Sequence, residues 1–158
     1  MCRGERCDEV GSRSDAGLGV VLGDNGYGLF DTSDVLIEVA STDPAVGGGD
    51  TIFTGDGSDV VLGGTDDDQI DTGSDDSRDV VLGDNGTGLF DSVGGGSLLR
   101  DIRTSDAAHG GGDTIVTGGG SDVVFGGSAG DQIDTRSDTS RDVVLAAKAK
   151  GRWETAEG

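Results

Sequence analysis

The chain is poor in the residues from which ordinary cores and catalytic sites are built. Aromatic residues make up 4% of its 158 residues, and apolar residues of all kinds reach 32%. So little apolar surface, combined with high net charge, does not support folding by hydrophobic burial alone. Histidine occurs once, at His109, which excludes the two-histidine zinc site of metalloproteases. Serines lie in turns without a neighbouring general base, and no carboxylate pair is set apart by its surroundings, so no enzymatic activity is expected. Cysteine occurs only in "CRGERC", where the spacing of Cys2 and Cys7 permits a small disulfide loop or part of a metal site. Basic residues number 11 against 31 acidic ones, for a net charge of −20, and lysine is confined to the tail "AAKAKGRWETAEG". A polyanion is not drawn to nucleic acid or anionic lipid; its natural partners are cations. No apolar run is long enough to span a bilayer, and "MCRGERCDEV" lacks the apolar centre of a secretory signal, so neither membrane insertion nor cleaved export is expected.

What the chain does have is glycine, 32 residues of it, and repetition. "VVLGDNGYGLFD" (20–31) returns as "VVLGDNGTGLFD" (80–91), and "GGGDTIFTGDGSDVVLGG" (47–64) returns as "GGGDTIVTGGGSDVVFGG" (110–127). A unit of about sixty residues thus occurs twice, flanked by partial copies. Inside it Asp50, Asp59 and Asp68 stand nine residues apart, each two residues before Ile52, Val61 or Ile70. Asp113, Asp122 and Asp131 repeat the pattern with Ile115, Val124 and Ile133, and steps of eleven lead on to Asp79 with Val81 and to Asp142 with Val144.

The segments "TGDGSDVVL", "GGTDDDQID", "TGGGSDVVF" and "GGSAGDQID" resemble GGxGxDxUx, with U a large apolar residue, the repeat of the RTX or hemolysin-type calcium-binding proteins. The resemblance implies an all-β fold, a right-handed parallel β-roll, which is a two-sheet solenoid of stacked nonapeptide coils. Its expected extent is 14–145, after an irregular N-terminal segment at 1–13 and before a frayed or helical tail at 146–158. It also implies an extracellular bacterial module, exported by a type I apparatus through a C-terminal signal that this C-terminus does not visibly carry.

The spacing has its own physical reading. A six-residue turn rich in glycine permits positive φ and close approach of main-chain carbonyls. The triplet after it, such as "VVL" or "TIF", suits a short strand whose middle side chain points inward. Stacked turns then pair Asp50 with Asp68, Asp113 with Asp131, Asp59 with Asp79 and Asp122 with Asp142, with Asp34 a further partner for Asp59. Six to eight hard oxygen ligands are what Ca²⁺ requires. The expected set is these eight aspartates with the turn glycines Gly55, Gly57, Gly64, Gly118, Gly120 and Gly127. Gly19, Gly28 and Gly88 take the aspartate's place in their own repeats and leave weak sites or none. Asp56, Asp66, Asp67, Asp75 and Asp76 are read as surface charge, and Arg78 and Arg141 as structural.

Val21, Phe30, Ile52, Val61, Ile70, Val81, Phe90, Ile115, Val124, Ile133 and Val144 are the expected inward positions. The segments 32–44 and 92–108 interrupt the period, and each is expected to add a strand (Val35–Val39, Leu98–Ile102) to the "VVL" face. Val60, Leu62, Val80, Leu82, Val123, Phe125, Val143 and Leu145 would then form an apolar outer stripe, suited to self-association or a protein partner unless a loop or the tail covers it. The alternative function is a structural or adhesive spacer stiffened by calcium.

Overall fold

The computed structural model describes residues 9–11, 17–136, 138–146 and 150–152; Cys2 and Cys7 lie outside them. The described residues form strands and turns only, and no helix among them is long and apolar enough to cross a membrane. In chain order the strands are β1 (Glu9–Gly11), β2 (Val20–Leu22), β3 (Gly26–Phe30), β4 (Leu36–Ser41), β5 (Thr51–Phe53), β6 (Val60–Gly64), β7 (Gln69–Asp71), β8 (Val80–Asp84), β9 (Gly86–Val93), β10 (Gly96–Thr104), β11 (Thr114–Val116), β12 (Val123–Phe125), β13 (Gln132–Asp134), β14 (Val143–Leu145) and β15 (Lys150–Arg152). They make three five-stranded sheets: a first in the order β1-β5-β7-β11-β13, a second in the order β14-β12-β8-β6-β2, and a third in the order β15-β10-β9-β4-β3.

The first two sheets are parallel and in register, with Ile52 beside Ile70, Ile70 beside Ile115, and Val61 beside Val81. The β-branched triplets favour a pleated, half-buried strand. Their middle residues Val21, Ile52, Val61, Ile70, Val81, Ile115 and Val124 form one buried cluster, joined at its ends by Val10 and Ile133. Most of the expected inward positions are therefore interior. Val144, in the edge strand β14 of the second sheet, is instead 45% exposed, with no further strand beside it among the described residues.

The third sheet is antiparallel, and it corrects the expected placement of the two interrupting segments. They form β4 and β10, paired with β3 and β9, while the "VVL" strands of the second sheet join one another directly. Each segment leaves the second sheet, runs out and back as a hairpin, and returns to the first sheet, so the alternation between the parallel sheets survives with no added strand. Gly94 and Gly95, at φ +61° and +84°, supply the two-residue turn of the β9–β10 hairpin. The β3–β4 turn is held by Asp31, whose carboxylate accepts the N–H groups of Ser33 (2.8 Å) and Val35 (3.0 Å).

The third sheet lies over the outer side of the second, and the expected apolar stripe is interior except at its end, where Val143 is 36% exposed and Leu145 partly buried. Val60, Leu62, Val80, Leu82, Val123 and Phe125 pack with Leu36, Val39, Phe90, Leu99 and Ile102 in a second buried cluster. The contact surface assigned to that stripe is filled by the chain's own hairpins. Phe90 is buried there and not between the parallel sheets, while Phe30, on the edge strand β3, is 49% exposed.

Both ends depart from the expected boundaries. β1 lies inside the segment read as irregular and pairs with β5. Val10 precedes Val21 by eleven residues, as Ile70 precedes Val81, so "DEV" is a worn copy of "DQI". β15 lies inside the tail and pairs with β10, setting Gly151 opposite Ile102 as Gly88 stands opposite Val39. Gly151 follows Val143 by eight residues, as Gly88 follows Val80.

Candidate metal centre

The turns between the parallel sheets line two edges of the molecule. On the first edge they run from the second sheet to the first and end on Asp50, Asp68, Asp113 and Asp131; on the other they end on Asp59, Asp79, Asp122 and Asp142. All four expected pairs are neighbours. The N–H of Asp50 donates to Asp68 Oδ1 (2.7 Å), that of Asp59 to Asp79 Oδ1 (2.8 Å), and those of Asp113 and Asp122 to Asp131 Oδ1 and Asp142 Oδ1 (3.1 Å each). The ladders also run unbroken across the hairpins, from Asp68 N–H to Asp113 Oδ1 and from Asp79 N–H to Asp122 Oδ1 (2.9 Å each).

Asp34 is not part of a ladder. It sits exposed in the β3–β4 turn, and the N–H that donates to Asp59 Oδ1 is that of Gly19 (2.9 Å), which does hold the aspartate's place. Gly28 and Gly88 lie in the third sheet, away from both edges. Gly55, Gly57, Gly64, Gly120 and Gly127 adopt positive φ, as a turn of this kind requires, whereas Gly118 does not and is held by the approach of the Asp75 carbonyl. Asp67 and Asp75, read as surface charge, bind neighbouring turns: Asp67 accepts the Gly112 N–H (2.8 Å) and Asp75 the Gly57 N–H (3.1 Å). Arg78 is half-buried, which lowers its pKa, while the charge of Asp122 opposes that shift.

With Oδ1 engaged by the main chain, the chemistry of each ladder carboxylate rests on Oδ2. Asp68 and Asp113 are 1% exposed, and their Oδ2 atoms are buried without a hydrogen-bond partner, as is that of Asp131. Burial pushes Asp68 up to about 9 and Asp113 to about 8, with the charges of neighbouring aspartates adding to it. Asp79 rises to about 7 for the same first reason, and Asp122 and Asp131 rise as well. A carboxylate in such a place demands either a proton or a cation.

Two aspartates of the site escaped sequence reasoning. In each "GDNG" the aspartate reaches across to glycine-rich turns: Asp24 accepts the N–H groups of Gly48 (3.3 Å) and Thr65 (2.7 Å), and Asp84 those of Gly111 (2.8 Å) and Ser128. Asn85 donates to the Gly64 carbonyl (3.0 Å). The recurrence of "GDNG" at one place in the unit was the available signal. Among the described residues no three acidic, histidine or cysteine side chains gather as an all-side-chain metal cluster, so main-chain oxygens would have to complete any shell here. Those oxygens are at hand, since the carbonyls of Gly83 and Gly126 approach the Oδ2 atoms of Asp68 and Asp113 at the turn glycines. Comparison of the chain with protein-family models, with curated proteins and with solved structures returned no match.

Proposed function

We propose that the two parallel sheets form a right-handed β-roll of the hemolysin type whose function is to bind Ca²⁺ and to fold on binding it, as a module of a secreted bacterial protein. The observation that carries the reading is the buried Oδ2 of Asp68 and of Asp113, each without a donor. Hard oxygen donors, carboxylate and carbonyl together, match the preference of Ca²⁺, and no nitrogen or sulfur side chain belongs to the ladders to favour zinc or copper. The net charge of −20 supplies long-range attraction for cations and opposes compaction without them.

A calcium titration of the chelated protein followed by far-ultraviolet circular dichroism tests this. The expected outcome is a cooperative gain of β structure at millimolar Ca²⁺ or below, with Mg²⁺ a poor substitute because it holds its water and prefers a small octahedral shell. A spectrum indifferent to chelator removes calcium as the folding ligand.

A further inference from the structure

We infer that Asn25 is a site of spontaneous covalent modification, deamidation through a cyclic imide formed with Gly26, and that the fold withholds the same reaction from Asn85. The two asparagines have the same neighbours in the sequence, "GDNG" at 23–26 and at 83–86, and each stands at the entry of a hairpin. In such a pair the main-chain nitrogen of the glycine attacks Cγ of the asparagine, and glycine permits the approach because it has no Cβ to obstruct it. The new N–Cγ bond closes a succinimide ring, the Cγ–Nδ2 bond breaks, and Nδ2 leaves as ammonia with the proton of the glycine amide. Water then opens the ring at either carbonyl, leaving aspartate or isoaspartate.

The step needs a glycine N–H released from hydrogen bonding and a side chain able to turn, and the third sheet grants both to one copy only. The Thr42 N–H donates to the Asn25 carbonyl and the Ser105 N–H to the Asn85 carbonyl, each at 2.8 Å. In both hairpins the glycine that follows therefore directs its own N–H away from its hairpin partner. For Gly86 that direction leads into the sheet, where β4 lies beside β9 and the N–H donates to Ser41 Oγ at 3.2 Å. For Gly26 it leads out of the sheet, since β3 is an edge strand, and the N–H meets no acceptor among the described residues. The side chains differ in the same sense. Asn85 is 1% exposed, with Nδ2 held by the Gly64 carbonyl (3.0 Å) and Thr65 Oγ1 (3.2 Å), whereas Asn25 is exposed, with Nδ2 on the Val46 carbonyl (3.0 Å). An edge strand opens at lower cost than an interior one. Deamidation takes the donor from the Val46 carbonyl and sets a new carboxylate beside Asp24, which holds the turns at Gly48 and Thr65. The isoaspartyl form also lengthens the main chain just ahead of β3, so the modification loosens the first hairpin and spares the second.

Prolonged incubation of the full chain in Ca²⁺ at mildly alkaline pH, followed by proteolysis and mass spectrometry of the two peptides, tests this. Asn25 should convert at least about tenfold faster than Asn85, with isoaspartate among its products, because the interior strand must open before Asn85 can react. In urea, where the fold no longer distinguishes them, the two should convert at similar rates. Comparable rates in the folded protein, or faster conversion of Asn85, overturn the inference. A preference for Asn25 that persists undiminished in urea overturns it as well, by assigning the difference to local sequence and not to the fold.

Discussion

Glycine acts in this chain chiefly by what it leaves vacant, and Gly83 shows why no other residue serves. A methyl group there would meet Asp113 Oδ2 at 2.0 Å and the Gly126 carbonyl at 2.6 Å, contacts that neither main chain nor a buried carboxylate can yield cheaply. Gly83→Ala should therefore destabilise the calcium-loaded protein by about 1–3 kcal/mol, the usual cost of overpacking, and lower its calcium occupancy. Gly130→Ala is the matched control, since nothing lies within 4 Å of its Cβ position. Urea unfolding midpoints in excess Ca²⁺ compare the two; equal shifts would show that loss of a glycine, and not loss of the vacancy, is what the protein feels. The ladder aspartates were legible in the sequence because each is locked to its strand by a two-residue offset. Asp24 and Asp84 were not, since their partners at Thr65 and Ser128 lie more than forty residues away and follow no period.

At the scale of elements, the third sheet determines what the second sheet's outer side is for. A row of Val, Leu and Phe on one side of short parallel strands reads from sequence as an exposed stripe, because the period that reveals the row is silent about what covers it. The covering strands alternate on a two-residue period in "GTGLFDSV", but glycine takes inward places that a longer side chain would mark, as Gly86 and Gly88 do, and β10 carries a bulge between Leu99 and Asp101. Their pairing is therefore weakly marked in the sequence, and the hairpin turn at Gly94 and Gly95 is its main sign. Val80 is 5% exposed beneath this sheet. Val80→Lys thus places an ammonium group in a buried, largely apolar interface and should cost more than about 3 kcal/mol. Phe53→Ala, on the outer side of the first sheet where Phe53 is 49% exposed, should change stability by no more than about 0.5 kcal/mol. Thermal unfolding of the calcium-loaded variants separates them. A neutral Val80→Lys would mean that the third sheet does not seal the second.

At the scale of the whole molecule, charge and proton binding oppose each other in a predictable direction. Asp68, Asp79 and Asp113 stand at about 9, 7 and 8 in the metal-free fold, raised first by burial, against an ordinary aspartate value of about 3.9 in an unfolded chain. Between about pH 4 and pH 9 the folded chain therefore binds more protons than the unfolded one, so the stability of the metal-free fold falls as pH rises through that window. Long-range repulsion works the same way, because ionising the other carboxylates drives the net charge toward −20. Circular dichroism of chelated protein should accordingly show most β structure near pH 4–5 and least near pH 9. On the proposed function Ca²⁺ takes the place of the proton at the buried oxygens, so its apparent affinity should rise over the same window, and its binding at pH 7 should release protons. Calorimetric titration in two buffers of different ionisation enthalpy reads that release directly. Binding heats independent of the buffer, together with a metal-free fold that strengthens toward alkaline pH, would show that these carboxylates are already ionised and compensated within the protein.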